Sequence, residues 1–94
     1  MSESTLVLHL RIHGTVQGVG YRWAMVQAAR RIGVAGWVRN RHDGSVEAMV
    51  SGSQASVDEI VAWARRGPES ASVRGVDVLP GEGVFDAFEQ RPSA

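Results

Sequence analysis

Cysteine and lysine are both absent from this chain of 94 residues. Without cysteine there is no disulfide, no thiolate nucleophile, no iron–sulfur cluster and no thiolate zinc site, so packing alone must stabilise the fold. All ten basic side chains are arginine. The lack of lysine excludes a Walker-type phosphate loop, a Schiff base and a lysine general base.

Net charge and long apolar runs are lacking too. Ten arginines balance ten carboxylates, so the chain has no field that would attract nucleic acid or a membrane surface. No apolar run could span a bilayer, and residues 1–5 lack the basic and hydrophobic regions of a secretory signal. We expect a monomeric, cytoplasmic protein with no nucleic-acid and no membrane partner. Its length predicts one domain, 1–94, with residues 1–4 and 91–94 frayed.

Hydrophobic periodicity divides the chain into seven elements. Residues 5–13 alternate as in a half-buried strand, and residues 21–32 and 54–66 carry apolar residues at helical spacing. Gly33 should end the first helix, Ser53 or Ser56 should cap the second, and Asp43-Gly44 predicts a hairpin. The remaining strands are predicted at 34–40, 45–51, 72–79 and 84–90.

This order of elements is typical of a split βαβ sandwich. We predict an α+β, ferredoxin-like fold (βαββαβ), in which two helices cover one face of an antiparallel sheet. The strand at 84–90 would be an extra C-terminal edge strand.

The segment from Gly14 to Arg22, with glycine also at positions 18 and 20, joins the first strand to the first helix. Glycines permit positive φ and let backbone N–H groups point inward, and a helix N-terminus adds unpaired donors. Arg22 supplies a permanently charged, forked donor, although a cation at this end opposes the helix dipole and therefore favours an anionic partner. The segment predicts a site for a small anion.

Asn40 should lie near this loop, because the two parallel strands of a βαβ unit end at the same edge of the sheet. One arginine, one amide and several N–H donors could bind a phosphate and position a water. No nucleophile or carboxylate base accompanies them. Such a site suits a substrate whose leaving group needs no protonation, of which an acyl phosphate is the obvious candidate.

Residues 14–22, 36–40 and 43–46 resemble the signatures of the acylphosphatase family, and the resemblance extends from Leu6 to Phe88. It implies hydrolysis of the carboxyl–phosphate bond of acyl phosphates to a carboxylate and inorganic phosphate, with no metal and no cofactor. Asn40 would orient the attacking water, and inorganic phosphate or sulfate would compete with the substrate. The phosphoryl group would be held by Arg22 and by the backbone of Gln17, Gly18, Val19, Gly20, Tyr21 and Arg22.

Three positions depart from the family pattern. Tyr21 stands where phenylalanine is usual, so its hydroxyl should find a partner or reach the surface. Thr15 stands where a basic residue is frequent. Gln90 stands where the final strand is usually apolar. Trp23, next to Arg22, could line the acyl-group side of the pocket, although packing is the commoner role of tryptophan.

Two other functions fit the same pattern of elements. A noncatalytic anion-binding module of this fold is the main alternative, either as a sensor or as a domain of a larger protein. RNA recognition also uses this fold, but it needs exposed aromatic side chains on the central strands. His9 and His13 share a strand face with Arg11, where a solvated surface is the simpler interpretation than a metal patch.

Overall fold

The computed structural model describes residues 5–94. Its sheet has five strands in the order β4-β1-β3-β2-β5. The elements are β1 (Leu6–Thr15), α1 (Tyr21–Ile32), β2 (Ala35–Asn40), β3 (Val46–Gly52), α2 (Gln54–Arg66), β4 (Ser72–Pro80) and β5 (Phe88–Gln90). The predicted ferredoxin-like α+β fold is confirmed, and both helices have the predicted bounds.

The two helices pack on one face of this sheet and enclose the core. The α1 helix packs against β2 and β5, while α2 packs against β1, β3 and β4. Alternate residues of the central strands point into this layer, so that Leu10, Val38 and Ala48 are fully buried. Residues of opposite parity, such as Arg11 and Glu47, form the outer face, which no helix covers.

Glycine and serine set the helix ends as predicted. Gly33 has a φ of +96° and donates its N–H to the Ala29 carbonyl, which closes α1. Ser53, rather than Ser56, caps α2, because its side chain accepts a hydrogen bond from the Ser56 N–H at 3.2 Å.

The sheet is antiparallel except at one edge, where the predicted extra strand, β5, runs parallel to β2. The chain leaves β4 at the opposite edge and must pass four strand spacings, about 19 Å, to reach the position of β5 beside β2. About six extended residues are needed for that distance. Residues 81–87 supply the crossing, so β5 begins at Phe88 and not at the predicted Val84.

The last residues are hydrogen-bonded to the edge of β2. Residues 91–94 were expected to fray, but they continue along β2: Arg91 N–H donates to the Val38 carbonyl at 2.9 Å and Ala94 N–H to the Asn40 carbonyl at 3.0 Å. The edge of β2 offers unpaired backbone groups, which the tail satisfies. Residues 1–4, for which fraying was also expected, lie outside the described residues.

Candidate active site

The glycine turn between β1 and α1 has the backbone shape that the sequence predicts. Gly18 and Gly20 have φ values of +75° and +78°, and a Cβ at either position would meet nothing within 4 Å. Glycine is therefore required there for conformation and not for space. Gly20 accepts the first helical hydrogen bond of α1, from the Ala24 N–H. The N–H groups ahead of Ala24 lack helical acceptors and remain available to a ligand.

Two side-chain contacts fix this turn against the rest of the fold. The amide nitrogen Nε2 of Gln17 donates to the carbonyl oxygens of Arg41 at 2.7 Å and Ser45 at 2.8 Å. On the other side, Ser70 Oγ donates to the Val19 carbonyl at 2.8 Å. Both amide hydrogens of Gln17 are used in this way, so a ligand would meet its backbone N–H and not its side-chain donors.

Tyr21 finds the partner that its hydroxyl requires. The ring is fully buried, and the hydroxyl donates to the Ala64 carbonyl in the last turn of α2 at 2.9 Å. Burial raises the pKa of the Tyr21 hydroxyl, which keeps it protonated and donating. The ring also packs against Trp63, with a centroid separation of 5.4 Å. Tyr21 thus joins the start of α1 to the end of α2.

A pocket of about 130 Å³ opens at the glycine turn. The first turn of α1 carries no acidic residue. Among residues 5–94, no carboxylate lies within ion-pair distance of the half-buried Arg22. The pocket therefore joins free N–H donors, a helix N-terminus and a cation without a counter-ion, which together suit an anion. Its walls are Val16, Gly18, Gly20, Tyr21, Arg22, Trp23 and Gln90.

Asn40 lies on the same edge of the sheet, as the βαβ geometry predicts. Ile12 of β1 and Asn40 of β2 both pair with Val46 of β3, so their Cα atoms are about 10 Å apart across β3. The Asn40 side chain is on the helix-covered face, in phase with the buried Val38. Its Oδ1 atom is buried and has no hydrogen-bond partner among the described residues. A buried acceptor of this kind calls for a donor, and a water molecule would meet that need.

Four of the predicted site residues therefore line one pocket, while Gln17, Val19 and Asn40 lie outside its walls. Asn40 is nevertheless linked to the turn, because the next residue, Arg41, accepts the Gln17 amide. The predicted phosphate-binding segment is thus hydrogen-bonded to the residue that follows the predicted water-orienting residue.

Sequence reasoning missed the anchoring contacts of Gln17 and Ser70 and the place of Gln90 in the pocket wall. The anchors act on backbone carbonyls, which leave no trace in the pattern of side chains. A signal for Gln90 did exist: a polar residue occupies an alternate position of β5 that Phe88 marks as inward-facing.

The outer face of the sheet carries a separate network of charges. Glu47, almost fully buried, accepts hydrogen bonds from Arg39 Nε at 2.7 Å and Arg41 at 3.3 Å, and is also hydrogen-bonded to His9. Burial raises the pKa of Glu47, but the hydrogen bonds with His9 and Arg39 and the charges of these two residues together lower it by more, so the pKa lies below its ordinary value. His13 pairs separately with Asp77.

On the outer face, the described residues form neither a metal-binding cluster nor an exposed aromatic surface on which a base could stack. In residues 5–94 no three His, Cys, Asp or Glu side chains are grouped so that they could hold a metal ion. Trp37, the aromatic residue of β2, is only 7% exposed because the guanidinium groups of Arg39 and Arg91 cover its ring at 4.8 and 5.1 Å. Within residues 5–94, neither helix is long and apolar enough to cross a membrane.

The fold and the site together define a class of protein: an α+β sandwich in which a glycine turn joins the first strand to a helix with an arginine in its first turn. The chain belongs to the acylphosphatase family, whose family model matches residues 8–89. An acylphosphatase of Thiobacillus denitrificans is 54% identical over 84 residues, which cover 89% of this chain and 94% of that protein. One from Acidovorax is 50% identical over 91 residues, 96% of this chain and 94% of that protein.

Solved structures give the same result. An acylphosphatase from Coxiella burnetii superposes with a TM-score of 0.88 at 28% identity, covering 93% of each chain. The enzyme from Bacillus subtilis superposes with a TM-score of 0.87, also at 28% identity, over 92% of this chain and 98% of that one.

Proposed function

We propose that this chain hydrolyses the carboxyl–phosphate bond of acyl phosphates, releasing a carboxylate and inorganic phosphate. The observation that carries the proposal is the pocket lined by the glycine turn and by Arg22, which has no carboxylate partner among residues 5–94. The phosphoryl group would lie there, held by Arg22 and by the backbone N–H groups of residues 17–22. These donors are fixed in advance, so they stabilise the charge on the equatorial oxygens without reorganising.

Asn40 is the residue proposed to orient the attacking water. Its buried Oδ1 has no donor among the described residues, so it would accept a hydrogen bond from the water and orient the water's lone pair toward phosphorus. The bond between the water oxygen and phosphorus forms as the bond between phosphorus and the acyl oxygen breaks. The pocket walls contain no carboxylate or histidine that could act as a base, so the proton of the water passes to a phosphoryl oxygen of the substrate.

The leaving group requires no acid in this scheme. A departing carboxylate is stable as an anion near neutral pH, since carboxyl groups have pKa values near 4. The site thus needs only to bind, orient and stabilise charge. Inorganic phosphate, the product, presents the same oxygens and should compete with the substrate.

The test is hydrolysis of benzoyl phosphate in the presence of a chelator by the wild type, Arg22→Ala and Asn40→Ala. Arg22→Ala should lose at least about 10²-fold to 10³-fold in kcat, as expected for one preorganised donor that also carries charge. Asn40→Ala should lose kcat with a smaller change in KM. Arg31→Ala is the matched control, because Arg31 is an exposed arginine in the last turn of the same helix.

A loss of less than tenfold in Arg22→Ala would remove that residue from the mechanism. Hydrolysis that stops with the chelator would contradict a metal-free reaction. If the folded wild type hydrolyses nothing, but millimolar phosphate raises its melting temperature, the alternative of a noncatalytic anion-binding module is correct.

A further inference from the structure

We propose that Trp23 and Gln90 form a subsite for the acyl group, which favours acyl phosphates with a planar aromatic acyl group. The proposal rests on the proposed function of the same pocket. It concerns the part of that pocket that the phosphoryl group does not occupy.

Trp23 is an uncovered aromatic surface at the rim of the phosphate pocket. Its side chain is 67% exposed, whereas Trp37 is covered by two guanidinium groups and Trp63 packs against Tyr21. It lies in the first turn of α1, directly after Arg22, and both residues line the pocket. An aromatic ring of a ligand could therefore lie on the indole while its phosphoryl group meets the arginine.

Gln90 adds a hydrogen-bonding group to the same pocket. It pairs with Val38 in the parallel register of β2 and β5, and it shares a strand face with the buried Phe88. Its position at the exposed end of β5 brings it into the wall beside Arg22 and Trp23. No hydrogen bond within residues 5–94 occupies its amide. The amide N–H is free to donate to the carbonyl oxygen of an acyl group.

The placement of Asn40 decides which side of the phosphoryl group the acyl group takes. In-line displacement puts the attacking water and the leaving carboxylate on opposite sides of phosphorus. Asn40 is not part of the pocket wall, whereas Trp23 and Gln90 are. The proposed subsite therefore requires the phosphoryl group to lie between the water at Asn40 and the acyl group at Trp23 and Gln90.

The two side chains differ in what they should recognise. Every acyl phosphate has the carbonyl that Gln90 would contact, but only some have a ring that can lie on Trp23. Inorganic phosphate has neither. These differences give each variant its own kinetic signature.

The experiment compares kcat/KM for benzoyl phosphate and acetyl phosphate, together with the inhibition constant of inorganic phosphate. Trp23→Ala should lower the benzoyl-to-acetyl ratio about 3-fold to 10-fold, the range for one aromatic stacking contact, and Trp23→Phe should restore part of it. Gln90→Val should raise KM for both substrates about 2-fold to 10-fold, as for one hydrogen bond, with the phosphate inhibition constant unchanged.

Two controls are matched to these variants. Val84→Ala shortens an exposed apolar side chain outside the pocket, and Glu89→Val changes the neighbour of Gln90 on the opposite face of β5. Both should retain the wild-type ratio. An unchanged ratio in Trp23→Ala, or a phosphate inhibition constant that rises as much as KM in Gln90→Val, would overturn the subsite. A folded wild type that hydrolyses neither substrate would instead overturn the proposed function.

Discussion

The side chain of Gln17 connects the glycine turn to the loop that follows Asn40. The substitution Gln17→Leu removes this contact at nearly constant side-chain volume. The amide bridges the carbonyls of Arg41 and Ser45 at 2.7 and 2.8 Å. Leucine keeps the bulk of the side chain but provides no donor. The variant therefore tests whether the bridge positions Asn40 against the phosphate pocket.

The structure limits how much stability the bridge can provide. Each carbonyl keeps a backbone donor after the substitution, since Arg41 N–H donates to Ser45 and Gly44 N–H donates to Arg41. Neither oxygen is left unpaired, so the cost is that of two ordinary hydrogen bonds, about 1–2 kcal/mol in total. For a domain of this size the melting temperature should fall by about 5–15 °C.

The effect on catalysis should be larger than the effect on stability. Asn40 directly precedes Arg41, and a shift of about 1 Å in a positioning group costs up to 10²-fold in rate. We expect kcat to fall about 10-fold to 100-fold, while KM changes less, because the proposed phosphoryl contacts of Arg22 and the turn would remain. Steady-state hydrolysis well below the melting temperature measures both constants. Gln27→Leu, at an exposed glutamine of α1, is the matched control.

A kcat within twofold of the wild type, in a variant with the expected loss of stability, would refute this reasoning. The bridge would then be a structural contact alone. Equal losses in kcat and in phosphate affinity would show instead that the turn itself had collapsed.

Two further predictions concern buried polar groups that stabilise the fold. Tyr21→Phe should lower the free energy of unfolding by about 1–3 kcal/mol, because the Ala64 carbonyl in the last turn of α2 loses its buried donor. Urea denaturation measures this difference, and equal midpoints for the variant and the wild type would contradict the prediction. The folded-state pKa of Glu47 is lowered from 4.5, so its hydrogen bonds with His9 and Arg39 stabilise the fold above that pH and are lost as the pH falls through the folded-state pKa. Unfolding free energies between about pH 3 and 6 should accordingly depend less on pH in Glu47→Gln than in the wild type, and identical slopes would be inconsistent with this account.

Local signals predicted most of the fold. Helical spacing and a glycine or serine at each end located α1 and α2, because these features act over a few residues. The position of β5 depends instead on the width of the whole sheet, which the chain must cross before Phe88 can pair with Gly36. Local pattern contains no measure of that width, so the strand was predicted to begin too early.

The candidate site also combines features that local sequence predicts with features that depend on the whole fold. The three glycines of the loop look equivalent in the sequence. Gly14 has a φ of +129°, and a Cβ there would lie 2.1 Å from the Ser72 carbonyl oxygen, at the point where the register of β1 and β4 shifts. Its role is to let two strands approach at a bulge. Gly18 and Gly20 have open space around them and need only their backbone conformation. The bulge carries the strand into the turn, and the turn leaves N–H groups without helical acceptors. Only three-dimensional packing separates these two roles.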